Sequence, residues 1–265
     1  MATANRGGIT LYYEVSGSGP PIVLIHGFLC DGSLFTQQVK ALAQNHRIIN
    51  IDLRGHGRSG LSESPYTIYD LVDDVVAVLD AEGVKAAVWM GLSMGGFVSL
   101  RAALNRPDRV RALVLVDTDA GPESVWNKLK YIIMKWGVLS LGPRFIAPAV
   151  MPIMFGKTTL RSRPELRAEY YQRILNMRVK SVSPGVDAII RRDDLVEHLH
   201  EIKVPTLVIV GEEDKALPLW KSRRIANNIS GAELVLIPAA GHLSAIETPV
   251  PVTAAVTRFL SKLGV

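Results

Sequence analysis

The segment Gly91-Leu92-Ser93-Met94-Gly95-Gly96 sets a serine between glycines two residues before it and two after it. That spacing suits a nucleophile held on a tight strand-to-helix turn, where larger side chains at 91 or 95 would collide with the backbone. The alternative reading is a glycine-rich turn without chemistry. A serine hydroxyl is a poor nucleophile near neutral pH; it needs a base, and the base needs an orienting acid. Of the six histidines, His242 follows the apolar run Leu234–Ile237, at the sheet edge expected for Ser93. Asp214 follows the run Thr206–Val210 and is the expected acid. Asp117, which also ends a strand, is its rival. Glu212 and Glu213 read as solvated, and His46, His198 and His200 as surface residues. His26 and His56 read as loop-packing residues. The amide of Met94, next to the serine, and that of Phe28, in His26-Gly27-Phe28, are the expected oxyanion donors; Gly27 lets the chain turn close to a substrate.

These residues need rigid elements to bring them together. Short, continuous apolar runs fit strands covered on both faces of a parallel sheet. They occur at Ile22–Ile25, Arg47–Ile51, Ala86–Met90, Ala112–Val116, Thr206–Val210 and Leu234–Ile237. Helical patterns alternate with them at Ile68–Glu82, Met94–Asn105, Leu219–Ile229 and Pro251–Leu263, and a meander is expected around Ile9–Val15. The alternation predicts an α/β fold with a doubly wound sheet and right-handed crossovers. It breaks between Asp119 and Ile190, where short helical pieces carry methionines and aromatics. That stretch is either an ordinary helical subdomain or a lid over a pocket. As a lid, Trp126, Met134 and Met154, with Leu243 beside the base, would line the substrate site.

With 30 Lys+Arg against 25 Asp+Glu in 265 residues, the net charge is +5 and no long basic tract exists. That argues against nucleic acid as a partner. A single cysteine, Cys30, excludes an internal disulfide framework. No run approaches the ~20 apolar residues of a membrane span. The start of the chain does not read as a signal peptide, so a reducing cytoplasm is the expected location. No metal-ligand spacing or dinucleotide fingerprint occurs, so no cofactor is expected.

The motifs together resemble the α/β-hydrolase superfamily over nearly the whole chain. The resemblance is carried by His26-Gly27-Phe28, Asp52-Leu53-Arg54-Gly55-His56-Gly57-Arg58-Ser59, the Ser93 hexapeptide, Arg106-Pro107-Asp108-Arg109-Val110, Gly211-Glu212-Glu213-Asp214 and Gly241-His242. The order Ser93, Asp214, His242 matches that superfamily's triad order. The resemblance implies an eight-stranded, mostly parallel sheet. It also implies a helical cap inserted after the sixth strand, dividing the chain into a core of 1–118 and 191–265 and a cap of 119–190.

Within the superfamily the chain looks most similar to carboxylesterase-like and 3-oxoadipate enol-lactonase-like members. Gly-Leu-Ser-Met-Gly-Gly, Leu113-Val-Leu-Val-Asp117-Thr118 and Ile189-Ile-Arg-Arg-Asp-Asp194 ahead of Val204-Pro205-Thr206 carry that likeness. Serine at the elbow argues against haloalkane dehalogenases and epoxide hydrolases, which use aspartate there. Carbon–carbon-bond hydrolases usually place an aromatic residue where Leu243 stands. Cofactor-free perhydrolases (haloperoxidases) share the Ser-Met-Gly-Gly run. The expected activity is hydrolysis of a small-molecule ester or lactone through an acyl-enzyme. Arginines in the 119–190 region would favour an enol-lactone by binding a carboxylate. A carbon–carbon hydrolase or perhydrolase is the alternative within the fold, a non-catalytic binding protein the alternative outside enzymes. A homo-oligomer is compatible with the sequence.

Overall fold

The computed structural model describes residues 2–62 and 64–264. Met1, Glu63 and Val265, and with them the outermost positions of the expected 1–118 and 191–265 segments, lie outside the described residues. The chain opens with a hairpin of β1 (Ala2–Arg6) and β2 (Ile9–Ser16). Gly7 and Gly8 turn it, both at positive φ. Then come β3 (Pro21–Ile25), α1 (Thr36–Leu42), β4 (Arg47–Ile51), α2 (Ile68–Ala81), β5 (Ala87–Leu92), α3 (Met94–Asn105) and β6 (Val110–Val116). Five helices follow without a strand: α4 (Val125–Leu141), α5 (Pro143–Met154), α6 (Lys157–Ser162), α7 (Pro164–Leu175) and α8 (Val179–Ile190). The chain ends with β7 (Thr206–Gly211), α9 (Leu219–Asn228), β8 (Glu233–Ile237), α10 (Ser244–Glu247) and α11 (Pro249–Lys262).

The eight strands form one sheet in the order β1-β2-β4-β3-β5-β6-β7-β8. Only the β1–β2 and β2–β4 pairings are antiparallel. Apolar runs became strands because both faces are covered. One core cluster packs α2, α3 and α9 on one side of the sheet. The other packs α1, α11 and parts of the five-helix segment on the opposite side. Trp89, fully buried in β5, caps this logic, with its indole N–H donating to the Arg109 carbonyl.

Helix ends follow local chemistry. Thr67 and Asp70 form a reciprocal capping box that starts α2. The last helix starts at Pro249, two residues before the expected Pro251, because Pro249 takes the first helical position and Pro251 still lies in the first turn.

Candidate active site

Parallel strands deliver the predicted triad and oxyanion residues, and the rival Asp117, to one edge. Ser93 follows β5, Asp117 follows β6, Asp214 follows β7, His242 follows β8 and Phe28 follows β3. Ser93 has φ 53 and ψ −111, in a region L residues rarely occupy. Strain of this kind costs roughly 1–3 kcal/mol and must be held by its surroundings. Here the Ser93 amide donates to the Val116 carbonyl at 2.9 Å, and Thr118 Oγ1 donates to the Ser93 carbonyl at 2.7 Å. The flanking glycines are required by contact. A Cβ on Gly91 would strike the Gly95 carbonyl, and one on Gly95 would strike the carbonyl of Ile25. The glycine pattern thus lets α3 pack closely against β5 and β3.

His242 Nε2 lies 2.9 Å from Ser93 Oγ, and His242 Nδ1 lies 2.9 Å from Asp214 Oδ2. The other Asp214 oxygen accepts from the amides of Ala216 (2.8 Å) and Leu217 (2.9 Å), which fixes the carboxylate plane. A negative carboxylate against Nδ1 sets the tautomer: Nδ1 carries the proton and the Nε2 lone pair faces the hydroxyl. Burial disfavours a charged His242, but the adjacent Asp214 outweighs it and holds the ring's pKa above the ordinary imidazole value. Asp117 makes no hydrogen bond to His242 among the described residues. Its oxygens accept from the Gly211 amide at 2.8 Å and from Ser244, whose amide donates at 3.1 Å and whose hydroxyl donates at 2.6 Å. Burial and the Asp214 charge push its pKa up to about 8. Asp117 therefore ties the ends of β6 and β7 to the residue two beyond His242.

The loop after β3 is braced by the Asp52–Ser59 motif after β4. Asp52 accepts from the amides of Gly32 (2.7 Å) and Arg58 (2.8 Å). His26 is fully buried; its Nε2 accepts from the Leu53 amide at 3.0 Å, so its Nδ1 donates to the Gly27 carbonyl at 2.7 Å. The Cys30 amide donates to that same carbonyl at 3.2 Å. Gly27 C=O and Phe28 N–H share one trans peptide, so fixing the carbonyl fixes the N–H in the opposite direction. Among the described residues neither the Phe28 nor the Met94 amide has a protein acceptor. Met94 opens α3, where the first amides lack intrahelical partners and carry the positive end of the helix dipole. His56 packs against His26, with ring centroids 5.1 Å apart, and burial lowers its pKa to about 3. Both histidines are loop anchors, as expected.

A cavity of about 390 Å³ opens over Ser93 and His242. Met134, Met154 and Leu243 line it as expected, with Phe28, Val138, Ile146 and Val186. Trp126 does not: it is 80 % exposed and sits on the outer side of α4, one residue away from the inward-facing Asn127. Among the described residues no arginine lines the cavity, which corrects the expectation of an arginine site for a carboxylate. Arg173 pairs with Glu169 and Asp31, Arg178 donates to the Gly57 and Ser59 carbonyls, and Arg163 donates to the Glu247 carbonyl. The cations near the cavity are lysines. Lys221 is bound to Asp119 at 2.8 Å and Lys135 to Asp187 at 2.7 Å, while Lys130 and Lys215 are exposed at the margin.

Several residues behave differently from their sequence appearance. His46 is buried rather than on the surface, because the Gly17–Gly19 turn folds over the end of α1. Glu213 is not simply solvated: it accepts from the amide and hydroxyl of Thr158 at the start of α6. Glu247 stood out in no motif, yet it is buried and accepts from the amides of Gly241 (2.9 Å), Leu243 (3.2 Å) and Gly156 (2.9 Å). It therefore clamps both neighbours of His242 to the α5–α6 junction, and burial lifts its pKa despite those donors. Asp119 and Glu123, at the entry to the five-helix segment, meet Lys221, Arg224 and Arg192 in a buried ionic cluster. Among the described residues no group of three or more His, Cys, Asp or Glu is arranged to hold a metal ion.

This arrangement of sheet, elbow and converging loops is that of a known class, and the model of the alpha/beta hydrolase fold family matches residues 20–249. The chain belongs to the α/β-hydrolase family. Its structure is similar to a thermophilic esterase from Thermogutta terrifontis, with 33 % identity, a TM-score of 0.93 and 98 % of each chain covered. It is also similar to the enol-lactonase from Burkholderia xenovorans LB400, with 31 % identity, a TM-score of 0.91 and coverage of 98 % of this chain and 100 % of that one. A protein of Azorhizobium caulinodans provisionally named a carbamate hydrolase is 29 % identical over 94 % of both chains.

Proposed function

We propose that this chain is a serine hydrolase that cleaves carboxylic esters or lactones through an acyl-enzyme, with Ser93, His242 and Asp214 as its triad. The observation that carries the reading is the continuous chain from Ser93 Oγ through both His242 nitrogens to Asp214, 2.9 Å at each link. In this mechanism Nε2 takes the hydroxyl proton as Oγ attacks the carbonyl carbon. The Phe28 and Met94 amides receive the developing oxyanion, each such donor contributing ~3 kcal/mol to the transition state. Asp214 stabilises the imidazolium. His242 then returns the proton to the leaving oxygen, and water activated by the same nitrogen releases the acid. No step calls on a metal or organic cofactor.

Residues 119–190 serve as a cap that supplies the acyl pocket. Met134, Val138, Ile146, Met154, Val182 and Val186 from α4, α5 and α8 give that pocket an apolar wall. With no arginine on the wall, a substrate with an uncharged acyl part fits better than one that buries a carboxylate. A carboxylate-bearing lactone would have to keep its charge near Lys130 or Lys215 at the margin. The name of the Burkholderia relative supports the lactone branch, and that of the Thermogutta relative the ester branch.

The test is hydrolysis of p-nitrophenyl esters and simple lactones by the parent and by Ser93→Ala, with labelling by a fluorophosphonate probe. The parent should label and turn over, and Ser93→Ala should do neither, with at least a ~10³-fold loss of kcat. A Ser93→Ala variant within tenfold of the parent would reject the nucleophile. A parent that neither labels nor hydrolyses any of the panel would favour a binding protein.

A further inference from the structure

Helix α4 is apolar on two opposite faces. Asn127, Tyr131, Met134 and Val138 turn inward to the cavity. Trp126, Leu129, Ile133 and Trp136 repeat at i, i+3, i+7 and i+10 on the other side, and they are 80 %, 48 %, 59 % and 61 % exposed. The stripe is continuous with Phe145 of α5, 57 % exposed, whose ring lies against the helix where Gly137 has no side chain. An exposed patch of large apolar residues marks a contact surface.

Charge identifies what covers this one. Of the lysines of α4, Lys135 is paired with Asp187, Lys128 and Lys130 have no salt-bridge partner among the described residues, and the helix has no acidic residue. Residues 119–190 hold eleven Lys+Arg against five Asp+Glu, a net of +6; the whole chain carries +5, so the remainder stands at −1. All the net positive charge therefore lies in the segment that bears the stripe. A second copy of the chain docked through a twofold axis would set these lysines against their own mates. An anionic surface would instead be complementary to them. Tryptophan and leucine flanked by lysine is the composition of a helix lying in a lipid interface with its apolar face among the acyl chains. Among the described residues no helix is long and apolar enough to cross a membrane, so the geometry is that of lying on a bilayer.

We propose that the outer face of α4, from Trp126 to Trp136 and on to Phe145, docks onto anionic phospholipid bilayers. The contact holds the inner face of the same helix, and with it the cavity mouth, next to the lipid. It does not depend on the Ser93 chemistry, and Ser93→Ala should dock as the parent does.

The experiment is co-sedimentation of the full chain with vesicles of phosphatidylglycerol and phosphatidylcholine, and with phosphatidylcholine vesicles alone, at low and high salt. The expected result is partitioning onto the anionic vesicles at least about tenfold stronger than onto neutral ones, and weakened by salt. Ile133→Ser combined with Trp136→Ser should cut partitioning by about tenfold or more. Lys128→Gln and Lys130→Gln should each cut it by about fivefold on anionic vesicles only. An unchanged circular dichroism spectrum and unchanged hydrolysis of a soluble ester show that the Ile133→Ser/Trp136→Ser protein is folded. No partitioning, or equal partitioning onto both vesicle types, overturns the proposal. So does a parent that sediments as a dimer in lipid-free buffer and becomes a monomer with the same double substitution, which would put a second copy on this face.

Discussion

Replacing Asp214 by asparagine changes one atom and should remove the base. Asp214 Oδ1 accepts two amides, Ala216 at 2.8 Å and Leu217 at 2.9 Å, while Oδ2 faces His242 Nδ1 at 2.9 Å. An asparagine must place its own oxygen on those two amides. The flipped orientation would turn an NH₂ against two N–H groups at about 1–3 kcal/mol each, enough to hold it to a few per cent of the population. The asparagine NH₂ then points at Nδ1, which must accept. The ring proton moves to Nε2, where it faces Ser93 Oγ, and the nitrogen that should take a proton now gives one. Loss of the correct tautomer in such a triad lowers kcat by about 10⁴-fold, or ~5.5 kcal/mol of barrier.

Asp117 is the natural control, because it was the rival acid in the sequence. Its three donors come from Gly211 and Ser244, so Asp117→Asn leaves the His242 tautomer alone. It should cost about 1–3 kcal/mol of stability through a mismatched donor and less than tenfold in kcat. The assay is initial-rate hydrolysis of p-nitrophenyl butyrate by both variants, with thermal melts to confirm folding. A folded Asp214→Asn within tenfold of the parent would refute the reasoning. So would a larger kcat loss in Asp117→Asn than in Asp214→Asn.

With the neutral ring as the proposed base, and Asp214 holding the His242 pKa above its ordinary value, kcat/KM should rise with pH along a limb centred above ~6.5; a limb below that value contradicts the pairing. Glu247→Gln keeps one oxygen for Gly241 and Leu243 but turns an NH₂ toward the Gly156 amide, so the melting temperature should fall by the equivalent of about 1–3 kcal/mol. The same variant loses a buried negative charge near His242, so its pH limb should move down. Val186→Trp would fill much of the cavity, raising KM for an octanoyl ester by about tenfold or more while the acetyl ester is little affected; equal effects on both esters would place the acyl chain elsewhere.

What the sequence made legible is what short-range physics controls. Apolar runs bounded by Gly, Pro or Asp can only be strands if both faces are covered, and each parallel strand fell within two residues of its expected range. The Ser93 turn was readable because its steric demand is met within five residues. β1 was missed since Ala-Thr-Ala-Asn-Arg has no aliphatic run, although the Gly7-Gly8 pair beside it is a hairpin signal. Trp126 was misplaced because composition cannot say which side of a helix faces inward. The phase was available, however: Asn127, Tyr131, Met134 and Val138 form one stripe, and Trp126 belongs to the other.

The residues that escaped reading share a different cause. Glu247 looks like any surface glutamate until Gly156, Gly241 and Leu243 bring three amides to it. Asp119, Glu123, Arg192, Lys221 and Arg224 are ordinary charges until the fold places them in contact across roughly seventy to one hundred residues of chain. Both groups sit where the 119–190 segment meets the sheet. The Ser93 motif is local, because a turn of that kind must be made by its own neighbours. The joint between the 119–190 segment and the sheet is non-local, because either side can supply the carboxylate or the donor. Removing one member of such a joint leaves a buried charge unpaired, which costs about 3–5 kcal/mol, whereas trimming a wall residue such as Met134 mainly reshapes the cavity. On the proposed function, substrate choice is therefore freer to change than the joint that holds the 119–190 segment to the sheet.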